Sequence, residues 1–424
     1  VLVEEHPMGS KSFLLLFFKK EGLLSFMGKV AIVGAGPAGL MAAETLATAG
    51  HQVTVFDRMV SPGRKLLLAG RGGLNLTHTE EAERFLARYG KAVPWMAAAL
   101  EAFSPGDLAQ WCEGLGEAVF TGSSGRVFPR AMKAAPLLRA WLRRLEGLEV
   151  RLALRHRWVG WRDGALAFEG PEGAVAVLAD AAVFALGGAS WPRMGSDGTW
   201  SGILAGQGVR VAAFEPSNCG VRVGWRDEFR ERFEGEPLKR VAVSVGSESA
   251  RGEAVITRNG LEGGVIYALS HAIRRRLAAD GVAELRVDLR PDVAVADLAR
   301  RVEVGGGARS LSNVLRQGAR LSPASSWLVR EAVREMGMPW GLAAVIKGVP
   351  IRVIGVAGLE RAISSAGGVG LEEVDPWLML RRMPGVFLAG EMLDWEAPTG
   401  GYLLQACFST GVLAGLGVQR FLAR

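Results

Sequence analysis

Residues 30–40 read VAIVGAGPAGL and set Gly34, Gly36 and Gly39 in the spacing G-x-G-x-x-G. That spacing suits a phosphate. Gly34 allows a tight turn from strand to helix, Gly36 lets the backbone approach a pyrophosphate, and Gly39 lets the helix pack closely on the strand. Ala35, Pro37 and Ala38 complete the turn, and the helix that follows presents free N–H groups and the positive end of its dipole. Asp57 stands eighteen residues after Gly39, with Arg58 beside it. A carboxylate there accepts hydrogen bonds from the ribose hydroxyls of an adenosine. Either feature alone fits an ordinary turn; together they predict an ADP-containing cofactor.

The choice between NAD and FAD falls to the far end of the chain. Residues 385–406, GVFLAGEMLDWEAPTGGYLLQA, read as a strand, a Gly390-Glu391 turn followed by Asp394, and then Pro398-Thr399-Gly400-Gly401 opening a helix at Tyr402. A carboxylate in that turn can hold ribityl hydroxyls, and a helix N-terminus aimed at the pyrimidine edge of a flavin would stabilise the charge of its reduced form. A plain NAD enzyme has no use for this second anchor, so the expected cofactor is FAD. Gly187 and Gly188 supply a third glycine turn after a strand. The basic loop 61–78, SPGRKLLLAGRGGLNLTH, offers Arg64, Lys65 and Arg71 to phosphates. Its glycines and Asn75 let backbone and amide come near a flavin ring. Arg71, Asn75, Thr77 and His78 are the candidates for the flavin face or substrate pocket, with no acid or base singled out among them.

Absences narrow the chemistry. Cys112, Cys219 and Cys407 have neither disulfide nor zinc spacing. They read as buried thiols of a protein in a reducing compartment, the cytoplasm, and no metal is expected. No Cys-x-x-Cys follows the first helix, so a redox disulfide beside the flavin is excluded. Gly305-Gly306-Gly307 and Gly355-Val356-Ala357-Gly358 lack the spacing of a second nucleotide turn. NADH or NADPH is therefore expected only as a transient electron donor.

These residues need a scaffold that joins the two chain ends. Residues 29–33 and 51–56 read as strands around a helix over about 39–49, a βαβ start. Ser104-Pro105-Gly106-Asp107 is a helix start, and Leu137, Leu138, Trp141, Leu142 and Leu145 mark one helix face, so 91–146 is expected to be mainly helical. Strands resume over 149–154 and 179–186. After about residue 209 short alternating segments, such as 221–223 and 240–245, suggest a small β unit. Helical patterns over 295–336 follow, including 325–336, and strand-like texture returns from residue 350. The economical organisation is an FAD-binding domain from 27–208 and 354–424, with 209–353 inserted. Residues 1–26 are read as a flexible or artefactual extension, because Met27 stands just before the first strand and the apolar run 13–18 is too short to span a bilayer. The apolar stretch 402–418 contains Gly411, Gly415 and Gly417 and is expected to be a buried helix, not a membrane span.

Composition sets the outer bounds. The chain has 424 residues, 49% of them hydrophobic, which is enough for two cores. Its net charge of +7 comes mostly from scattered arginines. Scatter favours a solvated surface with sites for phosphate or carboxylate over a nucleic-acid track.

Seven motifs in order, from the 30–40 turn to GEMLD…PTGGY, carry a family resemblance. The others are RKLLLAGRGGLNLTH (64–78), GRVFPRAMKA (125–134), WPRMGSDG (191–198), ITRNGLEGG (256–264) and SSAGGVGLEE (364–373). The chain resembles the BaiN-type flavoproteins, also called the aminoacetone-oxidase-like FAD-binding family, from Val30 to its C-terminus. It departs from the usual Ser-Gly-Gly-Gly-Arg-Cys-Asn loop with Ala69 to Asn75, and from Thr-Met-Glu-Ser-Lys with Trp377 to Arg381, as a divergent subgroup would. The resemblance implies an α/β fold, a Rossmann-like FAD-binding domain built from both chain ends with an inserted β-barrel plus helical domain. The expected activity is that of an FAD-dependent oxidoreductase moving a hydride between flavin and a small organic substrate, reducing a conjugated double bond or oxidising an amine. Two alternatives stand beside it: a flavin-dependent RNA-modifying enzyme, prompted by the basic charge, and a non-catalytic flavoprotein whose insertion binds a partner protein.

Overall fold

Residues 27–303, 310–338 and 341–424 are described by the computed structural model. The 1–26 segment and the glycine triplet 305–307 lie outside them. The first core is built on five parallel strands in the order Val386–Leu388, Ala181–Phe184, Lys29–Val33, Gln52–Asp57 and Arg151–Leu154. Ile32, Val55 and Val183 are fully buried in it, because the sheet is covered by helices and by Trp158 and Phe168, whose rings pack on Phe184 and Phe56 at 4.6 and 4.4 Å. The strand near the C-terminus thus lies two places from the first, and the ends of the chain meet in one sheet.

Helix Pro37–Thr48 links the first two strands, and helix Tyr402–Leu422 packs along it. Small residues set that distance. A Cβ at Gly411 would stand 2.4 Å from the Ala38 carbonyl oxygen, and one at Gly415 2.9 Å from the Thr45 Cβ. The polar donors of this helix find partners inside the protein: Gln405 and Ser409 donate to the Phe103 carbonyl at 3.0 and 2.6 Å, and Thr410 to that of Ala406 at 2.6 Å, while Gln405 Oε1 is buried without a partner. Among the described residues no helix is long and apolar enough to cross a membrane.

The chain leaves this core along Val211–Ser217 and returns along Ser364–Val369, and the two strands pair antiparallel. Between them lies a closed six-stranded barrel, Val221–Val223, Gly260–Glu262, Glu248–Thr257, Pro237–Val245, Ala283–Asp288 and Val349–Val356. Its inner residues, such as Val243, Ile256, Leu285 and Val353, share a second core with Leu298, Leu315, Val329 and Ile346 from the flanking helices.

Two local expectations are refined. Residues 91–146 are mainly helical, in Val93–Ala102, Pro105–Gly114 and Ala134–Gly147, but a hairpin of Val119–Thr121 and Arg126–Pro129 interrupts them, and its second strand pairs with Thr77–His78. Alternating Val and Phe around a Gly122–Gly125 turn favour the hairpin over a helix. The second is an antiparallel meander, Arg157–Arg162, Ala165–Gly170 and Gly173–Val177, between strands that the sequence pattern leaves joined only by unassigned chain. The helix start at Ser104 is a complete capping box: its hydroxyl accepts from the Asp107 amide, and Asp107 accepts from the Ser104 amide.

Candidate cofactor and active site

The glycine turn divides its tasks among three positions. Gly34 has φ +113, and a Cβ there would lie 2.3 Å from the Ala185 carbonyl oxygen; a Cβ on Gly39 would lie 1.9 Å from that of Gly34. These two hold strand and helix together. Gly36 differs, because a Cβ there meets nothing within 4 Å. Its backbone faces the open cleft, at the head of helix Pro37–Thr48, whose leading amides have no intrahelical acceptor.

Gly34, Ala35, Gly36, Pro37, Ala38, Asp57, Arg58, Arg64, Lys65, Gly187, Gly390 and Glu391 all line this cleft, joining both chain ends as their motifs predict. The cleft opens to solvent at its mouth. Asp57 accepts from the amides of Ala35 and Met59 at 2.7 Å each. Burial raises its carboxyl while those two amides act the other way, and each oxygen keeps a lone pair for a further donor. Arg58 is paired with Asp197 at the mouth. Lys65 is not the free cation expected of it: its ammonium donates to Ser190 Oγ and Glu391 Oε2, both at 2.6 Å. A carboxylate and an ammonium brought together with little solvent neutralise each other first, so Glu391 and Lys65 act as one polar unit. Arg64 has no carboxylate partner among the described residues, and its Nε is buried without a hydrogen bond. Sequence reasoning missed His156, Trp158, Ser196 and Asp197 as lining residues. For Ser196 and Asp197 the WPRMGSDG motif was the available signal.

The remaining candidates are not among the residues lining this cleft; of them, Thr77, His78 and Tyr402 meet where the Gly400-Gly401 turn starts helix Tyr402–Leu422 against strand Thr77–His78. Gly188 packs closely on strand Ser364–Val369, where a Cβ would lie 1.9 Å from Ser365 Oγ. Asp394 pairs with Lys91 at 2.7 Å. Tyr402 is buried, and its phenol donates to Glu80 at 2.5 Å while Arg88 grips the same carboxylate. Burial and the Glu80 carboxylate push that phenol upward. Tyr402 can therefore serve a ligand through its backbone amide, not its hydroxyl. His78 stacks on Tyr402 at 5.6 Å, and its ring nitrogens face the Ser124 carbonyl at 2.8 Å and the Glu80 amide at 3.0 Å. Both nitrogens are occupied. The backbone of Arg71 lies in the single turn Gly70–Gly72; its side chain lies outside the described part of the structure.

Asn75 Oδ1 and Thr77 Oγ1 are buried without a hydrogen-bond partner, as are Arg64 Nε and Trp158 Nε1 on the cleft. Buried polar atoms are normally paired. Unpaired buried donors and acceptors, together with the open face of Gly36, fit a ligand rich in donors and acceptors such as FAD. Thr77→Val should then raise the stability of cofactor-free protein by about 1 kcal/mol, by removing an unsatisfied buried hydroxyl, and should weaken FAD binding. Denaturant unfolding and an FAD titration measure the two effects; equal FAD affinity would detach Thr77 from the ligand.

The insertion is fastened beside this site by residues that local sequence patterns do not mark. Asn218 donates to Ser364 Oγ and the Ala397 carbonyl, both at 2.8 Å, and accepts from the Thr399 amide at 3.1 Å. Its φ of +50 is a conformation that Asn tolerates better than most residues. Glu396 is held by Ser217 at 2.7 Å, His271 at 2.7 Å and Arg274 at 2.8 Å, the last two on helix Ser270–Asp280. Burial works to raise this carboxyl, yet Arg274, Ser217 and His271 hold it below its usual value of 4.5. A depressed carboxylate stabilises the fold at neutral pH and loses that contribution as pH falls through its lowered value. The stability gap between wild type and Glu396→Gln should thus be constant above about pH 5 and narrow below about pH 4, read by unfolding at each pH. The described residues hold no group of three or more His, Cys, Asp or Glu placed for a metal ion. Cys112 and Cys219 are buried, whereas Cys407 is only partly buried and lines the cleft.

Residues 28–417 match the family described as HI0933-like protein Rossmann domain. The chain is 26% identical over 407 residues to a 3-dehydro-bile acid delta(4,6)-reductase of Clostridium scindens, covering 92% of this chain and 98% of that protein. It is 23% identical over 427 residues to a ribosomal RNA dihydrouridine synthase of Haemophilus influenzae, again covering 92% and 98%. Among solved structures, a 3-ketosteroid delta1-dehydrogenase from Sterolibacterium denitrificans has the same fold, with a TM-score of 0.54, 12% identity, and 93% and 99% of the two chains covered.

Proposed function

The chain belongs to the HI0933-like Rossmann-domain family and is an FAD-dependent oxidoreductase, and from that premise we propose that it reduces a carbon–carbon double bond conjugated to a carbonyl in a small organic molecule. NADH or NADPH would serve as a transient electron donor, and the cytoplasm is the compartment that suits its three unpaired cysteines. The names of both full-length relatives denote reduction of ring double bonds, and that shared chemistry carries the reading.

Bound flavin supplies the hydride. The chain's own residues bind and orient. Gly36 and the amides at the head of Pro37–Thr48 would receive the pyrophosphate, Asp57 the adenosine ribose, and Arg64 a phosphate oxygen. The Lys65–Glu391 pair would offer polar atoms to the ribityl chain, and the N-terminal end of helix Tyr402–Leu422 would favour the charge of the reduced ring. Of the four candidates for the ring face, Asn75 and Thr77 have free buried oxygens and His78 has no free nitrogen, which makes the first two the binding groups and His78 a support for Tyr402.

The basic charge and the similarity to the dihydrouridine synthase favour a second reading, in which the reduced double bond belongs to a uridine in RNA. An anaerobic stopped-flow experiment separates the two. Flavin is bleached with NADH or NADPH and its reoxidation is followed with conjugated enones and with uridine-containing RNA. Fast reoxidation by an enone supports the first reading, and by RNA the second; reoxidation by dioxygen alone would remove both.

A further inference from the structure

None of the residues of the motif GRVFPRAMKA (125–134) lines the flavin cleft, yet they build a second surface beside the site. Strand Arg126–Pro129 buries Val127 and Pro129 and turns Arg126 and Phe128 outward, as the period of two requires. Arg130 continues the alternation: its amide donates to the Ala118 carbonyl, one step on from the pair Val119↔Pro129. Phe120 stands directly opposite Phe128, the two rings stacked at 5.8 Å, and His78 stands opposite Arg126. Residues so opposed share a face. One face of this three-stranded sheet therefore carries Arg126, a stacked pair of phenylalanines and Arg130, in that order along the strand.

Phe120 is 37% exposed, and Arg126 and Arg130 are exposed beside it. Among the described residues neither guanidinium meets a carboxylate. Glu80, two residues past His78, is already held by Arg88 and Tyr402. The face adjoins the candidate loop: Phe128 Cδ1 lies 3.9 Å from where a Gly73 Cβ would stand, and Thr77, next to His78, abuts the Gly401 turn. From Phe120 to His78 is two strand spacings, about 10 Å. The two arginines are roughly 13 Å apart along the strand with aromatic rings between them, which matches a base that carries phosphate on both sides. Guanidinium forks take phosphate oxygens two at a time, and a base stacks on an aromatic face. Two cations around one aromatic pair suit a single nucleotide unit, not a polynucleotide track.

We propose that the face formed by Phe120, Arg126, Phe128 and Arg130 is the docking site for the adenosine end of NADPH. The adenine stacks on the phenylalanine pair, Arg126 takes the pyrophosphate and Arg130 the 2′-phosphate. Arg126 is the one opposite His78, so this order sends the nicotinamide end toward Thr77–His78 and the Gly401 turn. Such a face lets a chain without a second nucleotide-binding glycine turn use a dinucleotide in passing. The inference rests on the reading that NADH or NADPH reduces the flavin, and it narrows the donor to the phosphorylated one.

Flavin-loaded full chain is reduced anaerobically in a stopped-flow instrument with rising NADPH or NADH, and the redox-inert fragment 2′-phospho-ADP-ribose is titrated separately by calorimetry. Wild type should reach half-saturation at lower NADPH than NADH. Arg126→Gln should raise the half-saturating concentration of both dinucleotides, and Arg130→Gln that of NADPH alone, each by about fivefold or more. Phe120→Ala should raise both by about fivefold. The limiting rate of reduction should hold in all three, because none of these side chains lines the flavin cleft. If neither dinucleotide reduces wild type, yet the fragment binds and both arginine variants lose it, the site stands and the donor reading falls. The proposal is overturned if wild type does not bind the fragment, or if both arginine variants keep wild-type half-saturation and fragment affinity along with the wild-type flavin spectrum. It is overturned too if they lose affinity only for a short fluorescein-labelled single-stranded RNA, which would give the face to a polynucleotide.

Discussion

Gly36→Ala is expected to fold as wild type does and yet to lose at least tenfold in affinity for FAD, about 1.4 kcal/mol. The two halves of this expectation have separate causes. A Cβ at Gly36 meets no protein atom within 4 Å, and the φ of −84 suits alanine, so nothing in the chain resists the methyl group. The methyl does enter the space where the backbone would meet a pyrophosphate. Gly34→Ala makes the contrast. Its φ of +113 and the 2.3 Å approach to the Ala185 carbonyl oxygen force strand and turn apart, so this variant should be destabilised with or without cofactor. Thermal unfolding of cofactor-free protein, paired with FAD titration by fluorescence quenching, reads both. A Gly36→Ala protein that binds FAD as wild type does would move the pyrophosphate away from this turn.

Gly401→Ala should damage both stability and flavin retention. Gly401 has φ +98, and a Cβ there would lie 2.5 Å from Thr77 Cα and 2.6 Å from its carbonyl atoms. Neither contact is with a side chain that can swing away. Left-handed strain alone costs about 1–3 kcal/mol, and displacing strand Thr77–His78 adds to it. The same displacement tilts the start of helix Tyr402–Leu422 away from the ring it would face. A loss above about 2 kcal/mol in denaturant unfolding, with flavin released during gel filtration, is the expected result. A variant with wild-type melting and full flavin occupancy would mean that the helix start and Thr77 need not touch.

Both variants rest on glycines whose spacing is legible in the sequence, whereas the difference between them is not. The spacing G-x-G-x-x-G implies three roles, but which glycine faces open space and which abuts a carbonyl depends on strand Ala181–Phe184, brought alongside from 151 residues away. Charge behaves likewise. Lys65 and Arg64 are adjacent and look equivalent as phosphate partners, yet Lys65 meets Glu391, 326 residues on, and Arg64 meets no carboxylate among the described residues. The hairpin at 119–129 escapes for a different reason: helix-like apolar spacing on either side outweighs a short Val-Phe alternation whose pairing partner, Thr77–His78, is distant in sequence.

Local pattern was enough for the Rossmann-like α/β class, the glycine turn with Asp57 after it, the glycine-opened C-terminal helix, and a central insertion, because these depend on backbone preference and on which face of an element is apolar. Tertiary packing had to decide which charges are spent on each other, which buried oxygens of Asn75 and Thr77 stay unpaired, and how Asn218 and Glu396 fasten the insertion beside the site. Each of those depends on partners that only folding brings within hydrogen-bond reach, and no periodicity along the chain encodes that distance.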